Sequence, residues 1–188
     1  PVLIALAVAL YYAGAVLDGE VFRQAYRWIP ALDLSLALRL DGLSLLFVLL
    51  ILGIGLLIIT YTRFYLSAND SMPRFYAYLM LFLTAMLGIV MADNLLLLWV
   101  FWELTSLSSF LLIGFWHTQT NARRGARVSL TVTAMGGLAL LAGLLLLGQI
   151  VGSYDMQTVL ESRDLIQQDA RYLPVVLLVL LGAFTKSA

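Results

Sequence analysis

This chain has no cysteine, one lysine and one histidine. The missing cysteine removes disulfides, thiolate metal sites and thiol catalysis, while saying nothing about compartment. One histidine cannot assemble a metal centre alone. Charge is scarce as well: 12% of the 188 residues are charged, about half the share usual in a soluble domain. Acids and bases number 11 each, for a formal net charge of zero. Nucleic-acid binding needs a clustered basic surface, so no nucleic-acid partner is expected. There is no phosphate loop, catalytic triad or metal-ligand cluster, so no cofactor, no metal and no enzyme chemistry is expected.

What remains is apolar. The chain is 62% hydrophobic with a mean hydropathy of +0.97, too little polar surface to face water on all sides. The expected fold class is an all-α polytopic membrane protein. At about 20 residues per span, the length holds roughly six helices. Apolar runs place them at 2–17, 43–65, 75–91, 95–116, 128–151 and 173–188. Pro1 stands where a whole chain would carry methionine, and neither end has a polar flank. The first and last runs are therefore expected to be trimmed spans of a longer chain. The 2–17 run lacks the basic flank and small-residue cleavage pattern of a signal peptide.

Two longer stretches separate the runs. In 18–42, which contains Pro30, the alternation Leu32–Leu40 has the period of a short strand or extended loop. In 152–172, Met156, Leu160 and Ile166 suit one face of a surface helix. Shorter connections are expected at Ser67–Pro73, at Asp93–Asn94 with Asp93 capping the next helix, and in a basic loop His117–Arg127. Within the fifth run, Thr133 with Gly137 and Ala139 with Gly143 have the small-residue spacing of close helix packing. Alternating spans sort the loops into two groups. One holds Arg63, Arg74, Arg123, Arg124 and Arg127 with one acid, Asp70. The other holds five arginines among nine acids. The basic residues of the first group lie in shorter loops, so the Arg123–Arg127 side is expected to be cytoplasmic and 18–42 and 152–172 extracytoplasmic.

Only two charges fall deep within apolar runs. Glu103 lies about 12 Å along the fourth span and Lys186 about 20 Å along the sixth, at 1.5 Å per residue. In a hydrocarbon layer about 30 Å thick both reach the middle third. An ionised group there costs about 2.5–3.5 kcal/mol on insertion scales, so it is paired, hydrated or used. Opposite sign at similar depth suggests pairing, direct or through water. A carboxylate whose cationic partner moves changes its proton affinity, which is what a proton relay needs. Ser106 and Ser109 continue the Glu103 face, and Ser129 and Thr133 offer hydroxyls on the next span, all able to anchor water. Thr105 and Ser108 are expected to bond backbone carbonyls instead. His117 at a helix end suits proton delivery near neutral pH. Asp41 suits a helix cap or an access carboxylate for an ion. Trp99, Trp102 and Trp116 suit packing or interfacial anchoring.

Four segments then resemble one family. They are Asp41-Gly-Leu-Ser, the run Asp93-Asn-Leu-Leu-Leu-Leu-Trp-Val-Phe-Trp-Glu-Leu-Thr-Ser, Ser109-Phe-Leu-Leu-Ile-Gly-Phe-Trp, and Gly182-Ala-Phe-Thr-Lys-Ser-Ala. Together they are similar to the antiporter-like subunits shared by Mrp sodium/proton antiporters and respiratory complex I. Leu-Thr-Ser after the glutamate is similar to the A-type subunit of the Mrp antiporter. The resemblance implies a helical bundle with inverted five-helix repeats, of which this chain holds most of the first. It implies that Glu103 matches the family's essential glutamate and Lys186 the lysine of its interrupted seventh helix, with later relay residues beyond Ala188. It also implies a multi-pass protein in a bacterial inner membrane, partnered by other subunits and carrying protons and Na+. The alternatives are a proton-pumping subunit of complex I or of a membrane-bound hydrogenase, and a scaffold whose ion pair only fixes helices.

Overall fold

The structure is a computed structural model, and it describes residues 1–29, 34–67 and 70–187. The apolar runs become helices α1 (Val2–Leu17), α2 (Gly42–Tyr65), α3 (Met72–Met91), α4 (Leu95–Ile113), α5 (Thr120–Val151) and α8 (Tyr172–Ser187), with the short α6 (Met156–Glu161) and α7 (Arg163–Gln168) between the last two. Among the described residues, α2–α5 are long and apolar enough to cross a membrane, and α1 and α8 are shorter apolar helices.

Polar side chains set the starts of these helices. Asp41 caps α2 in a reciprocal box: its carboxylate accepts the Ser44 N–H at 2.9 Å, and the Ser44 hydroxyl accepts the Asp41 N–H at 2.7 Å. These bonds satisfy donors that the helix itself leaves open. Asn94, not Asp93, caps α4, accepting from the N–H groups of Leu96 and Leu97. Asp93 is instead drawn into an ion pair with Arg23. Gly152 ends α5 in the left-handed region at φ 79°, where a residue without Cβ costs least.

Two expectations about loops change. The basic loop His117–Arg127 shrinks, because Thr120–Arg127 extends α5. The 152–172 stretch folds as two short helices, and it buries Val159 while Leu160 stays 66% exposed. The 18–42 stretch contains an antiparallel hairpin, β1 (Phe22–Ile29) with β2 (Leu34–Leu40), running from Phe22 opposite Leu40 to Ile29 opposite Leu34. Leu34–Leu40 of the alternating segment is thus a strand, and its partner carries no comparable pattern. Pro30, Leu32 and Asp33, part of the Ser67–Pro73 connection, and Ala188 lie outside the described residues.

Packing proceeds in two groups. Val2, Ala9 and Val16 of α1 and Leu79 and Leu83 of α3 share one cluster with Leu45, Val48 and Leu52 of α2, the helix that packs against both. Leu95 of α4 meets Leu140 and Leu144 of α5, with Val159 beneath them. Helix α3 joins the two groups by packing along α4. Small residues permit the closest approaches. A Cβ on Gly88 would strike the Phe101 ring, and one on Gly182 would strike Leu140 and the Gly136 carbonyl.

The described loops form two groups of contacts. In one, Asp93 N–H donates to Ala37 O (2.9 Å), Leu95 N–H to Tyr154 O (2.8 Å) and Met156 N–H to Asp93 O (3.1 Å). Arg23 there pairs with both Asp93 and Asp155. In the other, Trp116 Nε1 donates to Asp70 Oδ1 (2.9 Å) and Arg74 Nη2 to Phe115 O (3.2 Å).

Candidate functional site

The site is built on α4, α5 and α8. Helix α4 carries the sequence Trp102-Glu103-Leu104-Thr105-Ser106. Thr105 Oγ1 bonds back to the Trp102 carbonyl at 2.7 Å, and Ser106 Oγ lies 3.4 Å from the same oxygen. Hydroxyls placed this way compete for the helix's own acceptors and open a polar notch in an apolar helix. Ser108 likewise bonds Leu104 O at 2.8 Å, so Thr105 and Ser108 do turn to the backbone.

Lys186 on α8 reaches into that notch. Its Nζ donates to Trp102 O at 2.8 Å and to Ser106 Oγ at 2.7 Å. The ammonium also lies 5.1 Å from the centroid of the Trp102 ring, within cation–π range. Glu103 is half-buried, and its Oε1 is enclosed without a hydrogen-bond partner among the described residues. No ion pair within 4.0 Å joins Glu103 to Lys186 among the described residues. The two charges occupy different helices and form no ion pair, the lysine held by neutral acceptors on Trp102, the residue before the glutamate, and on Ser106, one turn after it.

Helix α5 supplies room. A Cβ on Gly137 would collide with Glu103 Oε1, and one on Gly136 would collide with Thr185, next to Lys186. Adjacent positions on a helix point about 100° apart, so the glycine pair accepts α4 on one side and α8 on the other. Trp99 fastens the first contact by donating Nε1–H to Gly137 O at 2.9 Å. The small-residue spacing at Thr133 and Gly137 therefore marks a carboxylate pocket as well as helix packing. No sequence signal distinguished Trp99, Trp102 and Gly137 from ordinary packing residues.

The other candidates fall in three places. Ser106 joins the site directly. Ser109 is half-buried one turn further along α4, and Thr133, one turn before Gly137, donates to Ser129 O at 2.9 Å. His117 is exposed at the far end of α4, beside a cavity of about 300 Å³ lined also by Arg74, Tyr78, Phe115 and Arg123. Asp41 is at the opposite end. It caps α2, pairs with Arg39 at 3.1 Å and borders a cavity of about 330 Å³ shared with Asp93. The Ser44 N–H, followed by the Ser44 hydroxyl and the Arg39 charge, holds the Asp41 carboxyl below the usual carboxylate range against some desolvation. Neither His117 nor Asp41 contacts Glu103 or Lys186.

A bundle of apolar helices, four of them long and apolar enough to cross a membrane, with a carboxylate and an ammonium half-buried on α4 and α8, defines a membrane domain. Residues 92–188 match the family described as NADH:quinone oxidoreductase/Mrp antiporter, TM, and residues 28–76 match the N-terminus of NADH-ubiquinone oxidoreductase (complex I) chain 5. The chain belongs to the NADH:quinone oxidoreductase/Mrp antiporter transmembrane family. It is 50% identical over 188 residues to a probable K(+)/H(+) antiporter A/B-type subunit of Rhizobium meliloti, covering 98% of this chain and 19% of that one. It is 46% identical over 180 residues to the A-type subunit of the Na(+)/H(+) antiporter of Alkalihalophilus pseudofirmus, covering 95% and 22%. The chain thus spans about a fifth of the length of the curated relatives it matches. Its fold superposes on the Mrp complex from Dietzia sp. DQ12-45-1b with a TM-score of 0.89 at 32% identity, covering 100% of this chain and 20% of that one. An archaeal membrane-bound sulfane sulfur reductase shares the fold at a TM-score of 0.75 and 20% identity, over 97% of this chain and 28% of the other.

Proposed function

We propose that this chain is the N-terminal part of the A-type subunit of a multisubunit Mrp antiporter that exchanges a monovalent cation, Na+ or K+, for protons. The named relatives support a transporter and leave both cations open. The carrying observation is the pair of opposite charges on α4 and α8, Glu103 and Lys186, with Lys186 bonded to Trp102 and Ser106 on the helix that carries Glu103. Glu103 acts as the carboxylate that takes up and releases a proton, and Lys186 as the cation whose position sets its readiness to do so. Water reaching Glu103 would be anchored by Ser106, Ser109, Ser129 and Thr133. The remaining relay and the partner subunits that complete the path belong to the whole complex.

In this reading α1–α5 and α8 are the spans of a multi-pass protein in a bacterial inner membrane. The Arg123–Arg127 end faces the cytoplasm, which puts His117 at the cytoplasmic mouth, where it could pass protons inward. Asp41, with Asp93, borders the opposite mouth. An archaeal respiratory membrane complex shares this fold, but the antiporter relatives at 46% to 50% identity favour exchange over redox-driven pumping.

The test is Glu103→Gln and Glu103→Ala in the complete complex, with assembly verified and cation/proton exchange measured in everted vesicles. Loss of exchange with intact assembly is expected for both. Normal exchange by the Ala variant would sink the relay.

A further inference from the structure

In the site just described, Lys186 does not rest on Glu103. We propose that the Trp102 carbonyl, the Trp102 ring and the Ser106 hydroxyl form a neutral dock for the Lys186 ammonium, so that the lysine partitions between this dock and Glu103. The proposal rests on the relay reading for its functional meaning, and its geometry stands separately.

Four observations carry it. The ammonium has three donors, and two of them are satisfied by neutral oxygens at 2.8 Å and 2.7 Å. Its charge lies 5.1 Å from the Trp102 ring centroid, so the ring's negative face also attracts it. Glu103 Oε1 has no partner among the described residues although it is enclosed, and an enclosed carboxylate oxygen is the stronger acceptor for a nearby cation. Finally, the dock carbonyl is crowded: Thr105 Oγ1 donates to it at 2.7 Å, and Ser106 Oγ approaches within 3.4 Å. A carbonyl offers two lone pairs. The lysine therefore shares its acceptor with competitors, which keeps the dock weak enough to release it. A lysine held by neutral groups leaves Glu103 free to take a proton, and a lysine transferred to Glu103 favours the ionised carboxylate. Trp102 and Ser106 are positioning residues in this scheme, acting on Glu103 through Lys186. Among the described residues, the surrounding segments of α5, 128–151, and of α4 contribute no other charge.

The dock predicts that weakening it drives Lys186 toward Glu103. Dicyclohexylcarbodiimide labels membrane carboxyls in their protonated form, so its rate of reaction at Glu103 reports the unpaired, protonated fraction. The assembled full-length complex would be labelled at fixed pH and the Glu103 peptide quantified by mass spectrometry. Ser106→Ala removes one charge-assisted bond from the dock, a change of about tenfold in partition, and is expected to slow labelling by up to that factor. Trp102→Leu should slow it too, Trp102→Phe less, because a ring is kept. Lys186→Ala should label fastest of all. A merely structural loosening would open the site and speed labelling in Ser106→Ala. Labelling of that variant at or above the wild-type rate overturns the dock. If Ser106→Ala slows labelling while Glu103→Ala still exchanges ions, the dock stands and the relay reading fails.

Discussion

Removing Arg23 should loosen one end of the bundle locally. Arg23 projects from β1 to two carboxylates, Asp93 between α3 and α4 and Asp155 at the start of α6. Asp93 is 1% exposed, whereas the side chains of Arg23 and Asp155 are 38% and 30% exposed. Breaking a buried pair by deleting one partner costs about 3–5 kcal/mol, mostly from the charge left behind. Water already reaches the Arg23 side, so Arg23→Gln should sit near the low end, about 3 kcal/mol. Local opening would then be roughly a hundredfold more frequent, since 1.36 kcal/mol is a factor of ten. The assay is hydrogen exchange on the assembled complex, read at the amides of Asp93, Leu95 and Met156, whose bonds tie these loops together. Asp155→Asn, which removes the more exposed acid, should cost only about 1 kcal/mol. Arg23→Gln combined with Asp93→Asn should recover much of the loss, because no buried charge is stranded. Exchange in Arg23→Gln within about threefold of wild type, or no recovery in the double variant, would refute the reasoning.

Gly137→Ala should impair cation/proton exchange, and the new methyl should cost about 1–3 kcal/mol of packing where Glu103 Oε1 now lies. Gly53→Ala, which meets nothing within 4 Å, should leave vesicle exchange unchanged. Asp41→Ala should cost about 1 kcal/mol at the start of α2, seen as roughly fivefold faster amide exchange at Ser44. Because the folded Asp41 carboxyl is held below its ordinary range, its contribution is complete above the unfolded value of about 4 and is lost as pH falls through the lower folded value. Ser44 amide protection should therefore persist at neutral pH and decline only on strong acidification. Asn94→Ala should loosen the first turn of α4 by about 1 kcal/mol, read as faster exchange at Leu96 and Leu97.

Much of the architecture was readable because lipid imposes a simple rule: every spanning segment must be apolar and satisfy its own backbone. The six apolar runs therefore became helices, with changed ends. Thr120–Arg127 escaped notice because its arginines read as a loop, although a helix can extend past the bilayer with charged residues exposed. The partner strand β1 escaped because its outward residues, among them Tyr26 and Trp28, carry no alternation of burial. Its pairing depends on β2, which is a tertiary fact. The exchange of roles between Asp93 and Asn94 had the same origin. Either side chain can cap a helix, and Arg23, 70 residues away in sequence, decided which one did.

The sequence by itself determined that Glu103 and Lys186 lie within apolar helices, since each sits inside an apolar run. It also set how far along its helix each one lies, through the fixed rise per residue. Tertiary structure decided which atoms they meet. Lys186 could reach Ser106 and the Trp102 carbonyl only because α4 and α8 both pack on α5, whose glycines admit them. Glu103 could face Gly137 only because that position has no Cβ to exclude it. Hydropathy is a property of one segment, whereas the separation of two charges on different helices is set by the residues that let those helices approach.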